Sequence, residues 1–216
     1  ALTGQIQTQL EADSGKPAPE MYLTDTLSQI ENAIDLVTPK FQRIESLVQQ
    51  INMDKIPTEY HDQLNQVIEI IPTIGNALST FKPLVHFFGE MLGSEQTQRY
   101  LVIFQNNREL RATGGFMGSF AIVDIDRGRI VNTEIPGGGF YDLKGSLTAQ
   151  VLAPAPFHLF SPYWQTWNTN WFFDWPTSAK KIMWFYERSF GPSFDGVITL
   201  TPTVIENLLK LTGPIE

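Results

Sequence analysis

RYLVIFQNNRELRATGGFMGSFAIVDIDRGRIVNTEI, residues 99–135, is the stretch whose reading decides the fold. Arg99 to Gln105 is a short apolar run of strand length and reads as a buried strand. Phe116 to Asp126 reads as a second strand. Asp126-Arg127-Gly128 is a turn signal, and Arg129 to Ile135 returns as a third strand. Downstream, Pro176 to Phe190 reads as a helix, with proline in its first turn and Gly191 just past its end. Gly196 to Leu200 is a short buried strand. Pro202 to Leu211 is a helix stopped by Gly213-Pro214. The order of elements fits a sheet with helices packed on it, a mixed α/β domain over residues 99–216. Residues 137–175 read as loop, with three consecutive glycines (Gly137–Gly139) and repeated proline and tryptophan.

Upstream the periodicity changes. Apolar residues at Leu27, Ile30, Ile34, Val37, Phe41, Ile44, Val48 and Ile51 alternate between steps of three and four, a heptad seam. A second seam runs through Tyr60, Leu64, Val67, Ile71, Ile74, Leu78, Phe81, Val85, Phe88 and Leu92. The connection Asn52–Ile56 is short enough to make the two helices antiparallel neighbours. Residues 21–98 are therefore expected to form a coiled-coil-like helical hairpin with arms of about 40 Å. Thr26 and Gln29 fit a capping box at its start, and Pro57 fits the first turn of the second arm. Pro39, Pro72 and Pro83 interrupt the pattern and should kink or break the helices. A turn near Asp54 would bring Pro39 level with Pro72, so that the arms bend together. Residues 1–20 read as a tail or linker ending in Asp13-Ser14-Gly15-Lys16-Pro17-Ala18-Pro19, with a short helix over Leu2–Leu10. The fold class is thus α+β, a helical hairpin followed by a mixed α/β sheet domain. The seams read either as a simple hydrophobic joint or as a stalk that also docks a partner. Two helices alone cover large side chains thinly, which leaves oligomer contacts open.

Composition narrows the function. The chain has 216 residues, 42% of them hydrophobic, and a net charge of −8. That charge disfavours general binding to nucleic acid or to an anionic membrane surface. The chain contains no cysteine, which excludes disulfides, Cys-ligated zinc and thiol catalysis. His61, His86 and His158 lack metal-ligand spacing and read as ordinary histidines. No apolar run is long enough to span a bilayer. No signal peptide is recognisable. The start at Ala1 suggests a processed form, and membrane attachment is expected only through an anchor outside this chain.

Three separated segments carry a resemblance: QNNRELRATGGFMGSF (Gln105–Phe120), NWFFDWPTSAKK (Asn170–Lys181), and the stretch from Asp195-Gly196-Val197-Ile198 through Leu208-Leu209-Lys210-Leu211-Thr212-Gly213-Pro214. In this order they resemble the bacterial domain of unknown function four-zero-one-two, over about residues 99–216. That family is similar, at a distance, to the LytR-CpsA-Psr envelope proteins. The resemblance implies a membrane-anchored, exported precursor, an extracytoplasmic location at the cell envelope or surface, and a LytR-CpsA-Psr-like fold. Members usually continue past the Thr-Gly-Pro segment, so the chain is expected to be a fragment or cleavage product, with its α/β domain cut short at the C-terminal end.

Three groups of residues could carry chemistry. Arg108, Arg111, Gly114 and Gly115 form a candidate anion site, because a Gly-Gly turn opens backbone amides to a ligand and arginine binds phosphate by forked hydrogen bonds. In the LytR-CpsA-Psr relatives arginines hold the pyrophosphate of a polyprenyl-linked glycan, and the resemblance makes Arg111 the best candidate for such a role. The other reading pairs Arg111 with a local carboxylate and leaves the glycines to shape a turn. Asp124 and Asp126, two apart on a strand, share a face and are weak candidates for magnesium beside a phosphate. Asp126 also suits the adjoining turn, and Asp174 suits a helix cap. All five tryptophans fall between Trp164 and Trp184. Trp164, Trp167, Trp171 and Trp175 are candidates for stacking on a glycan or burying against a partner protein, and the commoner alternative for such a cluster is the core beneath a long loop. Trp164 and Trp167 are expected to be exposed, and Trp184 to lie in the core. At Trp167-Asn168-Thr169-Asn170 relatives tend to have Arg-Asp-x-Asn, so a charged pair is replaced by an indole and a neutral amide.

These residues support three functional expectations. The first is a non-catalytic envelope component that holds glycans or envelope proteins. The second is a LytR-CpsA-Psr-like phosphotransferase that attaches lipid-pyrophosphate-linked glycopolymers to the wall, for which magnesium would be the cofactor. The third, compatible with the first, is a homo-oligomer assembled through the hairpin. The missing charged pair ranks the first above the second.

Overall fold

The computed structural model describes residues 22–189 and 191–213. The expected tail over residues 1–20, with its helix at Leu2–Leu10, and the end of the Thr-Gly-Pro segment lie outside the described residues. The chain divides into two compact units, one ending at Glu90 and the other beginning at Met91.

The first unit contains two long helices. Helix α1 runs from Leu23 to Val48 and α2 from His61 to Met91. Helix α1 starts upstream of the expected capping box. Its cap is Tyr22, whose carbonyl accepts from Asp25 and Thr26 N–H, so Thr26 already lies inside the first turn. Pro39 sits inside α1, and Pro72 and Pro83 sit inside α2, without breaking either helix. Two contacts link the helices, Lys82 with Asp35 and His86 with Glu31 (3.4 Å). The partners step by four in opposite directions, which puts Pro39 level with Leu78 and not with Pro72. The expected shared bend fails because the connection holds two 3₁₀ turns, Met53–Lys55 and Thr58–Tyr60, which delay the start of α2 to His61.

The covered stripe of α2 also differs from the expected seam. Leu64, Ile71, Ile74, Leu78, Val85 and Leu92 are covered, but Tyr60, Val67, Phe81 and Phe88 are exposed. Ile68 and Gly75 are half-covered and Gly89 is buried, outside the expected seam. A row of large apolar side chains thus stays exposed on α2.

The second unit is built on a four-stranded sheet in the order β3-β2-β1-β4. Strand β1 is Gln98–Asn106, β2 is Phe116–Asp126, β3 is Arg129–Glu134 and β4 is Gly196–Leu200. The pairs β1–β2 and β2–β3 are antiparallel, and β4 lies parallel to β1. The β2–β3 hairpin closes through Arg127 and Gly128, both at positive φ (49° and 80°), the two-residue turn whose twist matches paired strands. A register shift at Phe104/Gln105 interrupts the β1–β2 ladder beside the loop that carries RATGG. Helix α3 (Trp175–Glu187) lies on the crossover to β4, and α4 (Pro202–Thr212) follows.

Leu101 and Ile103 of β1, Met117, Phe120 and Ile122 of β2, and Ile182 and Tyr186 of α3 form the main core, with Phe140 among them. Burying each such side chain stabilises the fold by roughly 1.5–3 kcal/mol relative to exposure. The segment 137–175, expected to be loop, contains three 3₁₀ turns (Gly139–Lys144, Ala155–Leu159 and Thr166–Asn168) and a core of its own. Ala153, Trp164 and Phe185 are its buried members, with Val151, Phe157, Phe172 and Trp184 packed around them. The glycine run attaches this layer to the sheet. Gly139, at φ 56°, lies so close to the Gly118 carbonyl that a Cβ would stand 2.2 Å from it.

Candidate functional site

The layer formed by residues 137–175 and the β1–β2 loop together line an open cavity of about 1140 Å³. Two groups that the sequence reading kept separate meet there. Arg111 and Gly114 come from the loop, and Trp164, Trp167 and Trp171 from the layer. Arg108, Gly115 and Trp175 do not line it. Trp175 opens α3 and packs against the main core.

The loop is shaped locally. Gly114 N–H donates to the Arg111 carbonyl (3.0 Å), and Phe116 N–H donates to that of Glu109 (3.0 Å). The Gly114 amide is thus engaged in the turn itself. Gly115 lets the hairpin close tightly, since a Cβ there would lie 2.6 Å from the Asn106 carbonyl oxygen. Asn170, only 1% exposed, ties the loop to the layer. Its Nδ2 donates to Thr113 Oγ1 (2.8 Å) and to the Gly115 carbonyl (2.9 Å). Gln105 Nε2 donates to the same threonine oxygen (3.0 Å). The Asn170 Oδ1 is buried and has no partner.

Arg111 is already engaged by protein. Its Nη2 donates to Glu109 Oε1 at 2.8 Å, its Nη1 donates to the Leu110 carbonyl, and its guanidinium lies 5.1 Å from the centre of the Phe116 ring. The Nε is covered and unpaired. Of the two readings of Arg111, the local carboxylate is the partner present in the structure. From Phe116 the aromatic wall continues to Tyr141 (6.2 Å between ring centres) and from Tyr141 to Trp167 (4.6 Å). On another side Trp171 packs on Phe157 (4.9 Å). Leu110, Phe160 and Phe173 stand at the rim, each more than four-fifths exposed.

The expectation for Trp164 is corrected, because it is buried. The layer has its own core, in which the Trp164 indole N–H donates to the Asn168 carbonyl (2.9 Å) and the ring meets Phe185 edge-on. Trp167 is half-buried. Trp184 packs on the same small core, half-buried rather than enclosed.

The acidic residues lie elsewhere. Asp124 accepts from Arg99 Nε (2.7 Å) and Nη2 (3.0 Å) and from Asn132 Nδ2 (3.1 Å). The Arg99 hydrogen bonds hold its carboxyl below the usual range, against the opposing effect of burial. Asp126 meets Arg127 Nε (3.3 Å) at the hairpin turn. Asp174 caps α3 by accepting from Thr177 N–H (2.9 Å), and bonding to Thr177 lowers its pKa. Among the described residues no cluster of three or more His, Cys, Asp or Glu could hold a metal. No described helix is long and apolar enough to cross a membrane.

Sequence reasoning missed Asn170, Thr113 and Glu109. Glu109 is two residues from Arg111, and that spacing was a usable signal. No comparable signal marks Asn170 or Thr113, whose meeting depends on the layer folding onto the β1–β2 loop.

Among curated proteins and among solved structures, no match to the chain is found. A family model does match, over residues 95–216, a span that includes every residue of the cavity and more than half of the chain. The chain therefore belongs to the family described as protein of unknown function, DUF4012.

Proposed function

We propose that the chain is a non-catalytic, extracytoplasmic component of the bacterial cell envelope that binds a glycan through the cavity of its α/β unit. The observation that carries this reading is the convergence of Trp167, Trp171 and Tyr141 with the polar side chains of Gln165, Asn168 and Ser161 in the lining of one large cavity. Aromatic faces beside a few polar groups suit sugar rings, which have an apolar face and a polar edge. The reading as a binding site is supported by the engagement of Arg111 with Glu109 and by the neutral Trp167-Asn168 pair beside them. The helices of the first unit serve as an antiparallel hairpin stalk, a reading supported by the two contacts between α1 and α2. Their exposed apolar residues suit self-assembly or an envelope partner.

Titrating the tryptophan fluorescence of the purified chain with solubilised wall polysaccharide tests this reading. Saturable quenching is expected, and a flat titration with every polysaccharide fraction refutes it.

A second reading is a LytR-CpsA-Psr-like phosphotransferase acting on a lipid-pyrophosphate-linked glycopolymer, with magnesium. The exposed rim of Leu110, Phe160 and Phe173 favours it, because it could carry an isoprenoid chain. Release of the lipid pyrophosphate by the purified chain with magnesium, abolished in Arg111→Ala, would establish it in place of the first.

A further inference from the structure

The charges of the chain avoid one part of its surface. Charged residues make up 18% of the chain, yet residues 145–173 contain no Asp, Glu, Lys or Arg. That stretch is not all buried. It presents Leu159 and Phe160 at the end of the 3₁₀ turn Ala155–Leu159, and Phe173 just before α3. Leu110 of the β1–β2 loop joins Phe160 and Phe173 at the rim of the cavity. These four apolar side chains are 82–91% exposed. The charges that flank them are engaged, Glu109 with Arg111 at 2.8 Å and Asp174 as the cap of α3. Tyr163 and Trp171, 45% and 36% exposed, line the same cavity.

The chemistry of this face fits a lipid surface. Its most exposed members are pure hydrocarbon, whereas the less exposed Tyr163 and Trp171 carry a polar handle. In an interfacial anchor Leu and Phe reach the acyl boundary while Tyr and Trp stay level with the headgroups. A charge would oppose that entry, and the stretch has none. The tips stand on separate loops, unlike the close-packed centre and polar rim of a protein interface. We propose that the cavity rim is a membrane-docking surface, with Leu110, Leu159, Phe160 and Phe173 inserted into the interfacial zone of a bilayer of zwitterionic lipid. The insertion is shallow, because irregular backbone needs water for its N–H and C=O groups and only the side chains enter. At a net charge of −8 the chain gains nothing from anionic lipid, so the attraction is apolar. Docking of this kind adds to any anchor outside the chain and does not depend on what the cavity holds.

Flotation of the whole chain with phosphatidylcholine vesicles tests the proposal. Wild type should float with the vesicles, equally well in high salt, and no more strongly when phosphatidylglycerol is added. Phe160→Ser and Phe173→Ser remove exposed rings, so circular dichroism should be unchanged, and each should weaken vesicle binding about tenfold. The double variant Leu84→Ser, Phe87→Ser, on the exposed row of α2, should bind vesicles as wild type does. Binding that requires phosphatidylglycerol, that survives both rim substitutions, or that disappears with the α2 variant overturns the proposal. Failure to float with either kind of vesicle also overturns it and leaves the face to a protein partner. None of these outcomes touches the glycan reading, which is decided by the tryptophan titration.

Discussion

Asp124 and Asn170 are both polar and both buried, and their hydrogen-bond partners separate structure from site. Asp124 has partners for both oxygens, from Arg99 and Asn132, and so joins three neighbouring strands. Its folded pKa is depressed, so its contribution to stability is complete above the ordinary carboxylate range and is lost as pH falls through the folded value. Asp124→Asn should therefore cost about 1–2 kcal/mol at neutral pH, limited by the exposure of Arg99, and almost nothing once the pH has fallen below the depressed folded value. Thermal melts of both proteins from neutral to acid pH check this, and a pH-independent gap would refute it. Asn170 leaves one oxygen unpaired, which is costly unless something completes it. Asn170→Ala removes that cost together with the Nδ2 bonds to Thr113 and Gly115. The loss of stability should therefore be modest, roughly 1 kcal/mol, while the RATGG loop loosens. Hydrogen exchange should show faster exchange at Thr113–Gly115 with β2 protection retained, and unchanged loop exchange would show that Asn170 is not its anchor.

At the scale of elements, local signals were legible and tertiary ones were not. Strand β2 and strand β4 have the limits read from the sequence, because turn residues bound their apolar runs. Helix α3 begins where Asp174 and Pro176 place it. Asp174→Ala should lower the urea midpoint by removing an N-cap, and an unchanged midpoint would show the cap to be redundant. For the layer at 137–175 the sequence allowed a core beneath a long loop but not its membership, and Trp164 was misplaced because scattered aromatics on irregular backbone have no period of two or three and a half to sort them. The seam of α2 was read only in part. Leu64, Ile71, Ile74, Leu78, Val85 and Leu92 are covered as expected, but apolar residues also stand on a second face, and the period alone did not tell that Phe81 and Phe88 stay exposed. The candidate site fared likewise: its aromatic and arginine members were legible one by one, whereas their meeting in one cavity depends on how the layer folds back over the β1–β2 loop.

The two units of the molecule differ in how well they are supplied with core. The family match begins at residue 95 and covers a sheet unit with two hydrophobic clusters. The first unit has few buried apolar side chains among its described residues, chiefly Ile34, Ile71 and Val85, beneath helices of 26 and 31 residues. Its ion pair between Lys82 and Asp35 is exposed on both sides and contributes little. Helices gain most of their stability from packing an apolar face, and here Ile70, Phe81, Leu84, Phe87 and Phe88 of α2 keep theirs exposed. If self-assembly through this row supports the helices, as proposed, their stability must rise with protein concentration by mass action. Helical melting followed by circular dichroism should then shift upward by several degrees over a hundredfold rise in concentration, with sedimentation showing a species heavier than one chain. Replacing Leu84 and Phe87 with serine should abolish the shift without altering tryptophan fluorescence, because all five tryptophans lie in the sheet unit. A monomeric chain whose helices melt at one temperature at every concentration would remove self-assembly from the proposal and leave a partner of different sequence to cover the row.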